Sequence, residues 1–236
     1  MTPAARIAAV IEILVHFENT AKVNRSQRLI SAHKFLRHWF RRRRYIGSGD
    51  RAKINEFFWM ILRCRARLRW HVENSKAEIN PRNIVLAFLV IVKQQHLDLP
   101  KLFTNVIRYA PEPLSFNEKE LVEELRSKEL INELMPAHVR FEWPEWLLND
   151  AVSGLGQTYP EEFRALSKEP PTDIRLNTLL IKDRFVIQAS LSDAQIKVAP
   201  TKLSPLGLRL NKRARFENLL EWKNGLFEVQ DEGSQI

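Results

Sequence analysis

A run of four arginines is the first feature of the sequence that could carry chemistry. Arg41 to Arg44 directly follow Trp39 and Phe40 at the end of a predicted helix. The helix dipole favours cations near a helix C-terminus, but capping needs fewer than four of them. Guanidinium groups also bind phosphate oxygens in pairs and stack on bases. We therefore predict that Arg41, Arg42, Arg43 and Arg44 contact phosphates, and the alternative is a solvated basic surface.

A second group of arginines alternates along the next predicted helix, at Arg63, Arg65, Arg67 and Arg69. At about 100° per residue these side chains do not share one face. Arg65 falls on the side of the apolar residues, so we expect it to point at the core and to pair with a carboxylate. Arg63 and Arg67 fall on another side and are predicted to be free to bind RNA.

Positive charge is concentrated at the front of the chain. The formal net charge of the 236 residues is +9. Residues 1–72 hold 16 Lys/Arg against 4 Asp/Glu, a net of +12, whereas residues 73–170 hold 11 against 16, a net of −5. Residues 171–236 hold 10 against 8, a net of +2. This asymmetry favours a polyanionic partner such as a nucleic acid.

The residues by themselves show no catalytic site. None of the six histidines forms a zincin-type pair, and the 7 glycines form no phosphate or dinucleotide loop. The single cysteine, Cys64, cannot form an internal disulfide or a multi-thiolate zinc site, so we predict no metal and a reducing compartment. The longest apolar run, Ile84 to Val92, is far shorter than the ~20 residues that cross a bilayer and predicts a buried helix. With no signal-peptide pattern near the N-terminus, we expect a cytoplasmic protein without a membrane partner.

Caps and apolar periodicity predict a mainly α chain followed by a small α+β domain. Helices are expected to start at Thr2-Pro3, to span roughly 26–40, 48–68, 81–92 and 100–108, and to include one opened by a Ser115–Glu118 capping box. Pro144 and Pro160 mark two further helix starts, and Pro170-Pro171 ends helix. After residue 170 we expect extended chain at 173–181, 195–199 and 226–230, and helices at 183–191 and 216–222.

The tail of the chain carries motifs in a specific order. Arg175-Leu-Asn177 is followed by the Gly225-x-Phe227 turn and then by Gln-Asp-Glu-Gly-Ser-Gln at 230–235. This series resembles the bridge and the start of the methyltransferase domain in the Nop/Sun (Sun/Fmu-type) family of RNA cytosine-C5 methyltransferases. The helical part, with Gly47-Ser-Gly-Asp50-Arg51 and the helix after it, resembles the NusB-like RNA-binding domain of bacterial members.

The resemblance implies four segments. They are a NusB-like helical RNA-binding domain at 1–135, a helical linker at 136–170, an α+β bridge at 171–228, and the start of a Rossmann-like methyltransferase domain at 229–236. The implied function is the RNA-recognition portion of an S-adenosylmethionine-dependent transferase that acts in the processing of 16S ribosomal RNA. Gln230, Asp231 and Ser234 belong to the motif that opens the methyltransferase domain. The residues expected to bind RNA are Arg41, Arg42, Arg43, Arg44, Arg51, Arg63, Arg67, Arg175, Asn177 and Lys182.

The sequence departs from the family after the 230–235 motif. Family members continue into a Gly-rich loop for S-adenosylmethionine and into Pro-Cys and Thr-Cys motifs that bear the catalytic thiols, whereas this sequence ends at Ile236. Cys64 matches neither cysteine. Because the family reaction needs a thiolate that attacks C6 of cytosine, we expect this chain alone to be inactive and to bind no cofactor. A stand-alone NusB-like RNA-binding module is the main alternative, and an interaction protein with a merely solubilising basic segment is another.

Overall fold

The computed structural model describes residues 1–23, 31–95 and 98–236. The chain divides into two compact units, Met1–Lys168, here called the helical unit, and Glu169–Ile236, here called the sheet unit. In the described residues, no helix is long and apolar enough to cross a membrane.

The described part of the helical unit contains ten α-helices. They are α1 (Pro3–Val23), α2 (Ala32–Arg41), α3 (Ser48–Arg63), α4 (Arg65–Asn74), α5 (Pro81–Ala87), α6 (Leu99–Leu102), α7 (Phe116–Leu125), α8 (Ala137–Arg140), α9 (Glu145–Leu155) and α10 (Tyr159–Leu166). A π-helical turn, Phe88–Val92, continues α5. The core includes Val10 and Ile13 of α1 and Ile54 and Phe58 of α3, all fully buried.

Local sequence signals fix several helix ends. Asn80 accepts a hydrogen bond from the backbone N–H of Asn83 ahead of Pro81, and Ser115 with Glu118 forms the predicted capping box of α7. The apolar run 84–91 is buried all round, as predicted for a helix without a polar face. The part of the predicted helix 26–40 that covers 26–30 lies outside the described residues.

Two predicted helices differ from the structure. The helix expected at 48–68 is interrupted at Cys64, whose backbone (φ −129°, ψ 23°) ends α3 and opens α4. The helix expected at 100–108 is only the single turn α6, because Phe103 turns to extended backbone (φ −110°, ψ 90°) directly after Leu102.

The sheet unit alternates strands with helices. It contains β1 (Thr172–Leu176), α11 (Arg184–Asp193), β2 (Val198–Pro200), β3 (Gly207–Leu210), α12 (Leu220–Lys223) and β4 (Phe227–Val229), followed by a 3₁₀ turn at Glu232–Ser234. All three strand pairings are antiparallel, in the order β2-β3-β1-β4. The predicted helix 216–222 is the shorter α12. A β-α-β-β-α-β chain with this strand order is a split β-α-β arrangement.

Side-chain alternation gives the sheet an apolar and a polar face. Ile174 and Leu176 of β1 pack with Ile187 and Leu191 of α11 in one buried cluster. Asp173 and Arg175 alternate with them and lie on the opposite face. The polar face is the one that carries the motif residues of β1.

Strand β3 was not among the predicted elements, because it is four residues long and starts with a glycine after Pro205. Gly207 pairs with Arg175 across the sheet. A Cβ atom at Gly207 would lie 2.2 Å from Oγ1 of Thr201 and 2.8 Å from Oε1 of Gln235. The close approach of these two segments therefore requires glycine where the sequence pattern indicates only a turn.

Candidate nucleic-acid interface

The four-arginine run lies where α2 ends and the chain turns towards α3. Arg41, Arg42 and Arg44 are exposed. Within residues 1–23, 31–95 and 98–236, none of these three side chains pairs with a carboxylate. Three exposed guanidinium groups thus follow one another closely in the chain at the end of α2, and exposed guanidinium groups are suited to phosphate contacts.

Arg43 differs from its three neighbours. Its guanidinium carbon lies 4.0 Å from the centre of the Trp39 ring, and its Nη2 donates to Oε1 of Glu12 on α1. Its Nη1 also donates to the backbone oxygen of Trp39 at 3.4 Å. A carboxylate from another helix and an aromatic ring therefore hold the Arg43 side chain, so it is not a free cation, and its phosphate contact stays a prediction.

Arg51 is also used inside the fold. Its Nε donates to the backbone oxygen of Ile46 at 2.8 Å, and its guanidinium lies 5.7 Å from the centre of the Phe40 ring. The adjacent Asp50 accepts from the N-terminal ammonium group of Met1 at 2.8 Å and from Nε of Arg6 at 2.7 Å, and these hydrogen bonds lower the pKa of its carboxyl below its ordinary value. Asp50 and Arg51 thus each make contacts within the helical unit. Arg51 holds the loop between α2 and α3 and is not a free cation.

The break at Cys64 divides the alternating arginines, with Arg63 at the end of α3 and the others in α4. Arg65 pairs with Glu18 of α1, at 2.6 Å between Nη2 and Oε1, which confirms the predicted carboxylate partner. The Arg65 side chain is half-buried rather than fully buried, with 34% of its surface exposed. Arg63 is half-buried, and among the described residues it has no acidic partner.

Arg67 is ion-paired rather than free as the sequence predicted, and its contact with RNA stays a prediction. Its Nε lies 3.0 Å from Oε1 of Glu142, and both side chains are only 12% exposed. Its Nη2 also donates to the backbone oxygen of Arg63 at 3.1 Å. The helical wheel assumes one continuous helix, whereas α3 ends and α4 begins at Cys64, and it gives no sign of the distant partner Glu142.

Glu142 is a structural residue that sequence reasoning missed. It accepts hydrogen bonds from the backbone N–H groups of Ala66 at 2.8 Å and Arg67 at 2.9 Å, the otherwise unpaired donors of the first turn of α4. Burial raises the pKa of Glu142, and the hydrogen bonds from Arg67 and Ala66 oppose that rise. No local sequence signal indicates this contact, because Glu142 lies 75 residues from Arg67.

Cys64 is buried at the same break. Its Sγ lies 3.1 Å from the backbone oxygen of Met60. Burial raises the pKa of the thiol to about 12, with a further contribution from Glu142. At neutral pH such a group is almost entirely protonated, so it is a poor nucleophile.

The predicted RNA-binding residues of the sheet unit fall into different environments. Arg175 lies on the polar face, 3.8 Å from Glu228 of β4. Asn177 donates to the backbone oxygen of Gly225 at 3.0 Å and accepts from the N–H of Leu179, so it holds two loops together. Lys182 is exposed and has no acidic partner in the part of the chain that the structure describes.

The motif at 230–235 is held on the polar face by a residue that was not predicted as a site residue. Glu232 is buried and accepts from the backbone N–H groups of Leu203 at 2.6 Å and Ser204 at 3.2 Å. Its other oxygen lies 3.3 Å from Arg209, which binds the fully buried Asp173 through two contacts of 2.7 Å. The N–H of Leu203 lowers the pKa of Glu232. This carboxylate–guanidinium–carboxylate network holds the motif in place.

The three predicted members of the motif have local roles. Asp231 accepts from the N–H of Gly233 at 2.9 Å and so caps the 3₁₀ turn. Gln230 donates to the backbone oxygen of Ser234 at 3.2 Å. Ser234 is exposed. Several polar groups of the motif are therefore engaged by hydrogen bonds within the sheet unit, whereas Oε1 of Gln230 and Oε1 of Gln235 have no partner among the described residues.

Residues 143–217 match the family model described as "Methyltr_RsmF/B-like, ferredoxin-like domain". The match covers about a third of the chain. A ferredoxin-like domain is a split β-α-β fold, in agreement with the four-stranded antiparallel sheet. No curated protein gave a significant match.

The crystal structure of PH0851 is similar in fold. It superimposes with a TM-score of 0.56 at 15% sequence identity, over 99% of this chain and 54% of that chain. The chain thus spans about half the length of the solved structure it matches. At this identity the likeness supports the fold alone.

We expect Glu142→Ala to destabilise the helical unit by about 3 kcal/mol, because it leaves a buried guanidinium and two backbone N–H groups without an acceptor. Urea unfolding followed by circular dichroism measures this loss. The matched control is Glu145→Ala, an exposed carboxylate three residues later, which is expected to change the unfolding free energy by at most about 0.5 kcal/mol. Equal losses in the two variants would contradict the capping role.

We expect Cys64 in the folded protein to resist alkylation by iodoacetamide at about pH 8, where a free thiol of ordinary pKa is substantially ionised. The raised pKa removes the thiolate, and burial blocks the reagent. Mass spectrometry after timed quenching measures the modified fraction, with the same protein in denaturant as the control. Rapid modification of protein that retains its native circular dichroism would refute this assignment.

Proposed function

We propose that this chain is the RNA-recognition portion of an S-adenosylmethionine-dependent RNA cytosine-C5 methyltransferase, with ribosomal RNA as its substrate. The helical unit serves as a NusB-like RNA-binding domain, and the sheet unit as the bridge to a methyltransferase domain. The match of residues 143–217 to a methyltransferase-associated domain carries this proposal. The exposed cations Arg41, Arg42 and Arg44 support the RNA part of it.

The acidic side chains of the 230–235 motif are engaged within the sheet unit, by Gly233, Leu203, Ser204 and Arg209. Within the described residues, no cluster of three or more His, Cys, Asp or Glu side chains could hold a metal. The role proposed for this chain is to bind and position RNA, and no step through the cofactor is assigned to it.

The reading frame that follows the codon of Ile236 tests the methyltransferase assignment. We expect it to encode a Gly-rich loop and then Pro-Cys and Thr-Cys motifs, since the buried Cys64 cannot act as the catalytic thiolate. A stop codon directly after Ile236 would overturn this part of the proposal and favour the alternative, a stand-alone RNA-binding module.

RNA binding is tested by replacing Arg41, Arg42 and Arg44 together by Ser while Arg43 is retained. Each lost phosphate contact should reduce the slope of log affinity against log salt by about 0.7, so the triple variant should lose up to about 2. Affinity for a single-stranded ribosomal RNA fragment, measured at several salt concentrations, gives this slope. Stability should hardly change, because the three side chains are exposed.

The matched control removes the same charge elsewhere in the helical unit. Lys119, Arg126 and Lys128 are exposed cations of the acidic α7 region, and their triple replacement by Ser should leave the slope unchanged. If both triple variants lower the salt slope by the same amount, net charge alone attracts RNA. If neither changes the slope, the interface does not lie at the end of α2, and Lys182 of the sheet unit becomes the next candidate.

A further inference from the structure

An aromatic cavity lies beside the exposed arginines of the helical unit. Its volume is about 730 Å³, within the range of ordinary ligand pockets. The floor is formed by Ala5, Ala8 and Ala9 of α1, whose small side chains leave the space open. The walls are formed by three aromatic side chains, Trp39, Tyr45 and Tyr109.

Two of these aromatic residues are unusually exposed. Tyr45 is 78% and Tyr109 is 70% accessible, although large aromatic side chains are normally well covered. Tyr109 also has a positive φ of 64°, a left-handed conformation that is uncommon for a bulky residue. The fold therefore presents two flat π surfaces to solvent at the mouth of one cavity, one of them at a cost in backbone strain.

One arginine lines this cavity, and another is adjacent in sequence to a lining residue. Arg108 lines the cavity and its guanidinium lies 4.7 Å from the centre of the Tyr109 ring. Exposed Arg44 directly precedes Tyr45 in the chain. The carboxylate in the lining, Glu12, is paired with Arg43. The charge at the mouth is thus complementary to a polyanion, and the negative group that would repel one is already neutralised.

We propose that this cavity holds an unpaired base of single-stranded RNA, stacked on Tyr45 and Tyr109, while Arg44 and Arg108 bind the flanking phosphates. A base within a duplex is already stacked and paired, so the site selects loops, bulges or free ends. Stacking on aromatic side chains with arginine at the backbone is how single strands are bound without strict sequence readout. This assignment rests on the proposed RNA-binding function and adds to it the class of RNA that is recognised.

The test compares a short single-stranded RNA with the same RNA carrying one abasic position. The protein should bind the complete strand more tightly, and the double replacement of Tyr45 and Tyr109 by Ala should weaken its binding about tenfold or more. Binding of the abasic strand should hardly change in this variant. Tyr45→Phe with Tyr109→Phe keeps both rings and should retain the affinity.

Fluorescence gives a direct readout of stacking. A 2-aminopurine at the position of the removed base should be quenched on binding, and the quenching should be lost in the double Ala variant. Trp146→Ala is the control, since Trp146 is 80% exposed and lies outside the cavity. Circular dichroism melting verifies that each variant is folded.

The possible results distinguish failure of the base pocket from failure of the proposed RNA-binding function. Equal affinity for complete and abasic strands, or unchanged quenching in the double Ala variant, would overturn the base pocket. If the salt dependence through Arg41, Arg42 and Arg44 is nevertheless seen, RNA binding stands. If no RNA binds at any salt concentration, both proposals fail together. Loss of 2-aminopurine quenching with Trp146→Ala would likewise refute the cavity as the place of stacking.

Discussion

The shortage of carboxylates in the first 72 residues governs the helical unit. This segment holds 16 Lys/Arg and only 4 Asp/Glu, which are Glu12, Glu18, Asp50 and Glu56. Each of the four is paired, to Arg43, Arg65, Arg6 and the lysines 53 and 93 respectively. A guanidinium that is partly buried needs an acceptor, so these few pairs decide which cations pack between helices. Arg41, Arg42 and Arg44 have no carboxylate partner among the described residues, and they are exposed.

Because carboxylates are few, some arginines of the basic segment pair between helices and others remain exposed. Glu12 reaches from α1 to Arg43 and thereby fixes the end of α2, which leaves Arg41, Arg42 and Arg44 facing outward. One further acceptor comes from outside the basic segment, since Glu142 both caps α4 and binds Arg67. The arginines that the proposed function assigns to RNA at the end of α2 are those with no carboxylate partner among the described residues.

The sheet unit uses the same chemistry for a different purpose. Asp173, Arg209 and Glu232 form a network on the polar face of the sheet, and Glu232 also binds the backbone of the 203–204 loop. Charge-assisted bidentate contacts are directional as well as strong, so they fix the position of the 230–235 segment. A segment held in this way is suited to connecting a bridge domain to whatever follows it, which agrees with the function proposed above.

Local signals in the sequence determined the elements, because caps, prolines and apolar periodicity act within a few residues. Asn80, Ser115 and Asp183 start their helices as predicted, and the apolar run 84–91 is buried. The separation of helical and sheet regions, and the ion pair of Arg65, also follow from the pattern of residues. Contacts between distant residues were decided only by the tertiary structure. Glu142 lies 75 residues from Arg67, and Glu232 lies 59 from Asp173.

The break at Cys64 and strand β3 show why the sequence pattern missed some features of the structure. At Cys64 no glycine or proline marks the end of a helix, so a helical wheel carried past it placed Arg67 in solvent. The glycine at position 207 is visible in the sequence. The need for glycine there arises only in the folded sheet unit, where Thr201 and Gln235 approach closely. Arg43 and Arg44 are chemically identical neighbours in the sequence. Their different environments arise because one lies within reach of Glu12 and Trp39, and the other does not.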